Sequence, residues 1–398
     1  MNEEAIQRAK EHFENLLIKE LKRVEKMKEN SDFTDYKNLD KIKIGIVGGD
    51  GIGPYISDNT KRVLNSLLRD EIYSGQIEFV EINGLTIENR AKQNKAVPDD
   101  ILSQLKMCHV ILKGPTTTPR EGDKWPNIGS ANVTIRRELD LFANMRPVKV
   151  PEKNIDWVFF RENTEDSYIL GDDGINVTEE LALDFKSITQ EGADRIIRSA
   201  FEFARINKRR KVTAVTKANI IKCTDGKFLN TAKKIAGEYP DIEFDDWYVD
   251  IMAAKLIDPA RQAEFDVIVL PNLYGDILTD QAAELQGGVG TAGSANIGKN
   301  HAMFEAIHGS GLRMVENGRG EYADPSSLLR ASAMMLSHIG HQEKAETLDM
   351  ALDICGQYEK KLQLTGRHTG ATGKEYADYI ISTMGKQNLK NIWLSYQS

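Results

Sequence analysis

Cysteine is scarce in this chain of 398 residues: three occur, Cys108, Cys223 and Cys355, far apart and odd in number. That excludes a disulfide framework, offers no zinc-ligand spacing, and suits a reducing compartment, so a cytoplasmic location is expected. Long apolar runs are missing as well; none approaches the ~20 residues that span a bilayer. Positive charge is not in excess. With a formal net charge of −8 there is no electrostatic ground for nucleic acid or an anionic membrane as partner, since both need a basic face. The one dense basic run, residues 208–211, reads as a solvated helix end. The first thirty residues lack the apolar centre of a secretory signal and mix acids with bases, unlike an acid-poor organellar presequence.

What is present is the composition of an ordinary globular protein, 40% hydrophobic and 28% charged, in a length that accommodates two domains of ~50–250 residues each. Ile6, Ala9, Phe13, Leu16, Leu17, Leu21, Val24 and Met27 recur at helical spacing. They predict an amphipathic N-terminal helix whose stripe packs on its own domain or, slightly favoured, on a partner subunit. From residue 42 onward the pattern alternates between strands and helices. Residues 42–47 read as a buried strand, followed by a glycine-rich turn at 48–54. Gly49, Gly51 and Gly53 are each two apart, so the G-x-G-x-x-G dinucleotide fingerprint is absent, and a sharp strand-to-helix turn accounts for them at least as well as a nucleotide does. Strands follow at 79–82, 110–112, around 139–146, and at 157–160, 212–216 and 265–270; helices at 99–107, from near Ser130, at 188–205 and at 328–338, with two more beyond, joined by the glycine-rich stretch 365–373.

Several clusters suggest chemistry. Lys113 opens a rigid polar loop at the carboxyl end of a strand, where open α/β sheets bind ligands. Ser130, Asn132, Arg136, Arg146, Arg161 and Tyr168 fall within forty residues. Guanidinium groups grip planar oxyanions bidentately, so this set suits a small substrate with several carboxylates; the competing reading is ordinary surface ion pairs. Asp276 and Asp280 share a helical face at i, i+4, which suits a hard divalent cation or, equally, acids placed near a helix N-terminus. Lys217 at a strand end is either a solvated terminus or a base whose ammonium is destabilised by a nearby cation. Glycines cluster at 287–290 and 293–298, and His308, Gly309, Ser310 and Gly311 form a small-residue loop able to approach a phosphate or adenine closely.

The strings GDGIGP, LKGPTTTP, SANVTIRRELDLFANMRP, FRENTED, TKANIIK, NLYGDILTD, GTAGSANIG and FEAIHGS, in this order and spacing, resemble the isocitrate/isopropylmalate dehydrogenase family from about Ile42 to the C-terminus. The resemblance implies an α/β fold unlike the Rossmann fold: a large domain from residues 41–128 and 288–398, a small domain from 129–287, a short dimer clasp near 168–190, and residues 1–40 as an N-terminal helical extension. Ser130 and Asn132 match members that act on isocitrate, because donors placed for a carboxylate would be left unpaired against an alkyl group. The implied reaction is oxidative decarboxylation of isocitrate in a homodimer with shared active sites. Lys113, Ser130, Asn132, Arg136, Arg146 and Arg161 would bind substrate. Asp276 and Asp280, with Asp250 from the neighbouring subunit, would hold Mg²⁺ or Mn²⁺. Lys217, also from the neighbour, would assist proton removal and Tyr168 would protonate the enol. The coenzyme positions implied are Thr117, Glu305, His308, Gly309, Ser310, Gly311, Arg313 and Asp324. Arg313 stands where NAD users have an acid, which leans toward NADP over NAD, while Asp324 replaces the usual asparagine. Alternatives are a relative acting on homoisocitrate, isopropylmalate or tartrate, and a catalytically silent regulatory subunit.

Overall fold

A computed structural model describes residues 2–28, 33–120, 122–170, 173–286 and 292–397; the glycine stretch 287–290 lies outside them. Two compact units form. The first comprises Met1–Asp32 and Phe142–Gln286, the second Phe33–Leu141 and Gly287–Ser398. In chain order the strands described are β1 Ile42–Val47, β2 Ile77–Glu81, β3 Val110–Lys113, β4 Ala143–Val150, β5 Ile155–Glu162 and β6 Ile175–Thr178. They continue with β7 Leu181–Leu183, β8 Lys211–Thr216, β9 Glu243–Tyr248, β10 Val267–Leu270, β11 Gly293–Ile297 and β12 Ala302–Ala306.

The second unit orders its strands β2-β1-β3-β12-β11, parallel except for the β11–β12 hairpin. Parallel strands are covered on both faces, which is why β3 reads VILK without polar alternation and every residue of it is buried. Its core gathers Val47 and Ile111 from the sheet, Ile101 and Leu105 from the helix Asp99–Lys106, and Ala131, Ile135 and Leu139. Each large side chain so buried contributes roughly 1.5–3 kcal/mol. The first unit orders its strands β4-β5-β10-β8-β9, with only β4 antiparallel. Trp157, Phe159, Ile268, Leu270 and Leu278 fill its core, and the Trp157 indole donates to the Gln262 carbonyl at 3.0 Å.

Several elements differ from the sequence reading. The strand placed from about residue 139 starts at Ala143, because Asp140 adopts a left-handed φ of 47° and Leu141 N–H donates back to the Arg136 carbonyl at 2.8 Å, ending the preceding helix. That helix, Ala131–Glu138, clusters with the second unit, since its apolar stripe joins that core. Among the described residues three α-helices follow residue 341, not two: Gln342–Asp353, which runs on into a π-helical segment at Ile354–Glu359, Gly373–Met384 and Leu389–Ser395. Asn388 at a φ of 62° breaks the last pair. Residues 208–211 are only in part a solvated helix end: Lys208 and Arg210, just past the helix Gln190–Ile206, are exposed, but Arg209 pairs with Asp156 and Asp266, and Lys211 is buried against Asp245.

The N-terminal helix Glu3–Lys28 docks on its own unit. Phe13 stacks on Phe185 with ring centroids 5.3 Å apart, and Leu16 packs with Ile169 and Leu170. Part of the stripe, Leu17 and Leu21 among it, stays exposed. β6 and β7 pair as a separate antiparallel ribbon, with Leu181 and Leu183 exposed. Among the described residues no helix is long and apolar enough to cross a membrane.

Candidate active site

In the first unit the parallel strands end at one edge of the sheet, and the polar residues singled out from the sequence follow those ends. Arg161 is the next-to-last residue of β5, paired in register with Leu270 on one side and Asn144 on the other. Its buried guanidinium donates from Nε and Nη2 to Asn272 Oδ1 at 2.9 and 2.6 Å, while Nη1 pairs with Asp276. It also lies over the Tyr168 ring, 5.2 Å from the centroid. Tyr168 Oη donates to the other Asp276 oxygen at 2.5 Å. Arg146 of β4 donates from Nη1 to Thr279 Oγ1 at 2.6 Å and to Asp280 Oδ1 at 3.0 Å. One helix, Asn272–Leu285, therefore presents Asn272, Asp276, Thr279 and Asp280 as a polar stripe at i, i+4, i+7 and i+8. Burial opposes ionisation of Asp276, but Arg161, the Tyr168 hydroxyl and Arg146 outweigh it and hold the carboxyl below its usual range.

Lys217 and Asp250 sit apart from that stripe as a pair of their own, Nζ to Oδ1 at 2.6 Å, with the ammonium 5.8 Å from the Tyr248 ring centroid. The hydrogen bond from Lys217 holds Asp250 below the usual carboxylate range. Among the described residues no three His, Cys, Asp or Glu side chains gather as metal ligands. Asp276 and Asp280 nonetheless fit a hard divalent cation: both are oxygen donors on one helical face, Asp276 is held ionised, and their side chains are 37% and 59% exposed.

The second unit holds the other candidates. Lys113 on β3 and Glu305 on β12 are register partners, which buries both side chains between strands. Lys113 Nζ reaches Glu305 at 3.4 Å and the Gly114 carbonyl at 2.9 Å; Arg136 Nη2 reaches Glu305 at 2.9 Å, and Asn296 Nδ2 donates to it at 2.8 Å. Burial would raise the Glu305 carboxyl, yet Lys113 and Arg136 hold it down at about 2. Burial pushes the Lys113 ammonium the other way, downward, despite the same pairing. Both directions are physically consistent, because two cations share one carboxylate and the cluster keeps a surplus positive charge. The three arginines thus divide: Arg146 and Arg161 belong to the first unit, Arg136 to the second.

Ser130 caps the helix Ala131–Glu138 through a long contact, accepting from Val133 N–H at 3.5 Å. Asn132 Oδ1 accepts from Thr116 Oγ1 at 3.2 Å. The glycine-rich turn after β1 behaves as a turn packed on neighbouring loops. Gly49 and Gly51 have φ of 72° and 58°, and a Cβ would meet the Pro115 carbonyl oxygen at 2.3 Å and the Ser310 carbonyl oxygen at 2.0 Å respectively. Thr117 Oγ1 and Ser310 Oγ are 2.8 Å apart. Gly309 has open space where a side chain would stand, and Gly311, at a φ of 57°, leads into the short helix Leu312–Glu316 that carries exposed Arg313. His308 Nε2 is a buried donor or acceptor with no hydrogen-bond partner among the described residues, which fits a ligand with a hydrogen-bonding group. Asp324 is exposed and accepts from Ser326 N–H at 2.8 Å.

Several organising residues escaped the sequence reading. Asp50, buried, accepts from Ile87 N–H and Thr117 N–H, both at 2.7 Å, and so ties two loops to the glycine turn. Arg90, fully buried, donates to the carbonyls of Ala96, Thr117 and Gly129. No local pattern marks Arg90, and Asp50 is marked only as a member of the string GDGIGP. Asn272 and Thr279 were legible in principle, since they complete the polar stripe already signalled by Asp276 and Asp280.

A family model described as isocitrate/isopropylmalate dehydrogenase matches residues 43–374. A homoisocitrate dehydrogenase of Methanocaldococcus jannaschii is 36% identical over 330 residues, covering 79% of this chain and 90% of its own. An NADP isocitrate dehydrogenase of Rickettsia typhi is 37% identical over 363 residues, covering 86% of this chain and 70% of its own. Among solved structures, isocitrate dehydrogenase from Methylococcus capsulatus superposes with a TM-score of 0.74 at 34% identity, covering 87% of this chain and 100% of that one.

Proposed function

This chain belongs to the isocitrate/isopropylmalate dehydrogenase family of decarboxylating hydroxy-acid dehydrogenases, and from that premise we propose that it converts isocitrate to 2-oxoglutarate and CO₂ with reduction of NADP. The observation that supports isocitrate is the donor capacity at the head of the helix Ala131–Glu138. The capping contact uses a lone pair of Ser130 Oγ and leaves its O–H to donate; the Thr116 contact uses Asn132 Oδ1 and leaves the amide N–H groups to donate. Donors at both positions suit a carboxylate and would be left unpaired against an alkyl substituent.

The remaining roles are part of the same proposal. Arg146 and Arg161 bind carboxylates in the first unit, and Arg136 with Lys113 supplies positive charge in the second. Asp276 and Asp280 would hold Mg²⁺ or Mn²⁺, with Asp250 contributed by a second copy of the chain. When bound, the cation supplies Lewis acidity that eases hydroxyl deprotonation and polarises the ketone. Lys217, also from the second copy, would assist removal of the hydroxyl proton, and Tyr168 Oη would protonate the enol carbon. Support for the homodimer comes from the surroundings of the Lys217–Asp250 pair, where Ile220 in the turn after Lys217, Tyr248 at the end of β9 and Ile251 in the helix Val249–Leu256 are all exposed. NADP is favoured because Arg313 offers a guanidinium to a 2′-phosphate on the segment that follows His308 and Gly311; the Asp324 carboxylate already accepts from Ser326 N–H.

The test is absorbance at 340 nm with isocitrate, homoisocitrate, isopropylmalate and tartrate, each with Mg²⁺ and with NAD or NADP. Isocitrate with NADP is expected to give the highest kcat/KM. Faster turnover of another acid would replace the substrate assignment, and activity only on addition of a second, different chain would make this a regulatory subunit.

A further inference from the structure

The N-terminal helix Glu3–Lys28 precedes residue 43, where the family match begins, yet it reaches the loop that joins Arg161 to Tyr168. Arg23 is the point of contact. Its Nη2 donates to Glu165 Oε1 at 3.1 Å and to Glu20 Oε2 at 3.0 Å. Glu20 in turn accepts from Ser187 Oγ at 3.1 Å. Glu165 is 1% exposed; its carboxylate also accepts from Thr189 N–H at 2.9 Å and from the Thr189 hydroxyl, at the head of the helix Gln190–Ile206. A Cβ at Gly192 would stand 2.3 Å from the Glu165 carboxyl carbon, so that helix has room for the acid only because residue 192 has no side chain.

From Glu165 three hydrogen bonds, all through Asn272, lead to the guanidinium of Arg161. The Glu165 carbonyl accepts from Asn272 Nδ2 at 3.1 Å, and Asn272 Oδ1 accepts from Arg161 Nε and Nη2. On the Tyr168 side the chain turns at Asp166, whose φ is 70°, and is held there by Leu273 N–H donating to Asp166 Oδ2 at 2.8 Å. Electrostatics makes the arrangement sensitive to Arg23. Glu162, buried beside Glu165, accepts from Glu165 N–H at 2.6 Å, so two acids are buried together, with Arg23 from the N-terminal helix and Arg195 from the helix Gln190–Ile206 as the cations facing them. Burial and Glu165 already push the Glu162 carboxyl up to about 7; loss of one cation leaves a buried charge without compensation.

We propose that Arg23 is a positioning residue: acting through Glu165, the N-terminal helix fixes the 162–168 loop and with it the placement of Arg161 and Tyr168 for catalysis. The inference rests on the functional reading above for its kinetic consequence. Arg146 is held independently by Thr279 and Asp280, so substrate binding is retained better than turnover.

The test compares full-length wild type with Arg23→Met, Arg23→Lys and Glu165→Gln, using hydrogen–deuterium exchange and steady-state kinetics on whichever acid the wild type oxidises fastest. Arg23→Met is expected to speed exchange of the 162–168 amides and to lower kcat by about tenfold, with KM moved less than about threefold. Arg23→Lys recovers most of both, and in a Glu165→Gln background Arg23→Met adds less than about twofold. Wild-type exchange and kcat in Arg23→Met overturn the proposal, as does a loss of protection spread evenly through β10 and β8 with a lowered Tm, the mark of a merely structural contact. Should Arg23→Met not yield folded protein, Glu165→Gln must itself loosen the loop, and unchanged exchange there overturns the proposal. A wild type inactive on all the acids refutes the functional reading, while the exchange data still decide whether Arg23 fixes the loop.

Discussion

Gly275→Ala places a single methyl group where two effects oppose each other. Gly275 lies inside the helix Asn272–Leu285, and replacing an interior glycine by alanine ordinarily stabilises a helix by about 0.5–1 kcal/mol. Here, however, the new Cβ would stand 2.4 Å from Arg161 Cγ, 2.7 Å from its Cβ and 2.9 Å from its Cδ. Carbon atoms rest at about 3.5–4.0 Å, so the stem would have to move by about 1 Å. It has little freedom to do so: Arg161 is buried, its backbone is locked between β4 and β10, and its head is fixed by Asn272. Overpacking of this kind costs about 1–3 kcal/mol, which equals or exceeds the propensity gain. The expected net change is a loss of about 0–2.5 kcal/mol, read as a small fall in Tm by calorimetry. The functional effect is larger. A misplacement of about 1 Å costs up to about a hundredfold in rate, so kcat/KM at 340 nm should fall between about tenfold and a hundredfold. A raised Tm with unchanged kcat/KM would refute the reasoning, because it would mean that the Arg161 stem yields freely or that its position does not matter.

Other substitutions probe the remaining assignments. Asp276→Asn keeps the shape of the side chain but removes the charge shared by Arg161 and Tyr168; Mn²⁺ affinity measured by calorimetry or electron paramagnetic resonance should drop at least about tenfold, and unchanged affinity would remove Asp276 from the cation site. Glu305, held at about 2 against an ordinary 4.5, stabilises the folded state above about pH 4.5 and loses that contribution as pH falls from there toward 2. The amount is on the order of 3 kcal/mol. Urea unfolding between pH 5 and pH 3 should therefore show a shallower pH slope in Glu305→Gln than in wild type, and equal slopes would contradict the sharing of one carboxylate by Lys113 and Arg136. Arg313→Asp should lower the NADP-to-NAD ratio of kcat/KM by about ten- to a hundredfold, the worth of a charged hydrogen bond of ~1.5–3 kcal/mol; an unchanged ratio would take the 2′-phosphate away from Arg313.

By itself the sequence determined what depends on short spacing. Runs such as VILK and VIVL specify strands covered on both faces, and Asp276 and Asp280 at i, i+4 specify a shared helical face, because these periodicities follow from backbone geometry alone. The ordered motifs specify the family for the same reason: each is a local string. Tertiary structure decided which of those strings meet. Arg161 finds Asp276, 115 residues away, only through the parallel register of β5 and β10, and Lys113 finds Glu305 only because β3 and β12 are neighbours. The residues that hold loops in place, Asp50, Arg90 and Glu165, carry no periodic signal, since a buried charge is explained by its partners and not by its neighbours in the chain. The same holds for the N-terminal helix. Its stripe was legible as a stripe, but that Arg23 would reach Glu165 follows from the docking of the helix on the first unit.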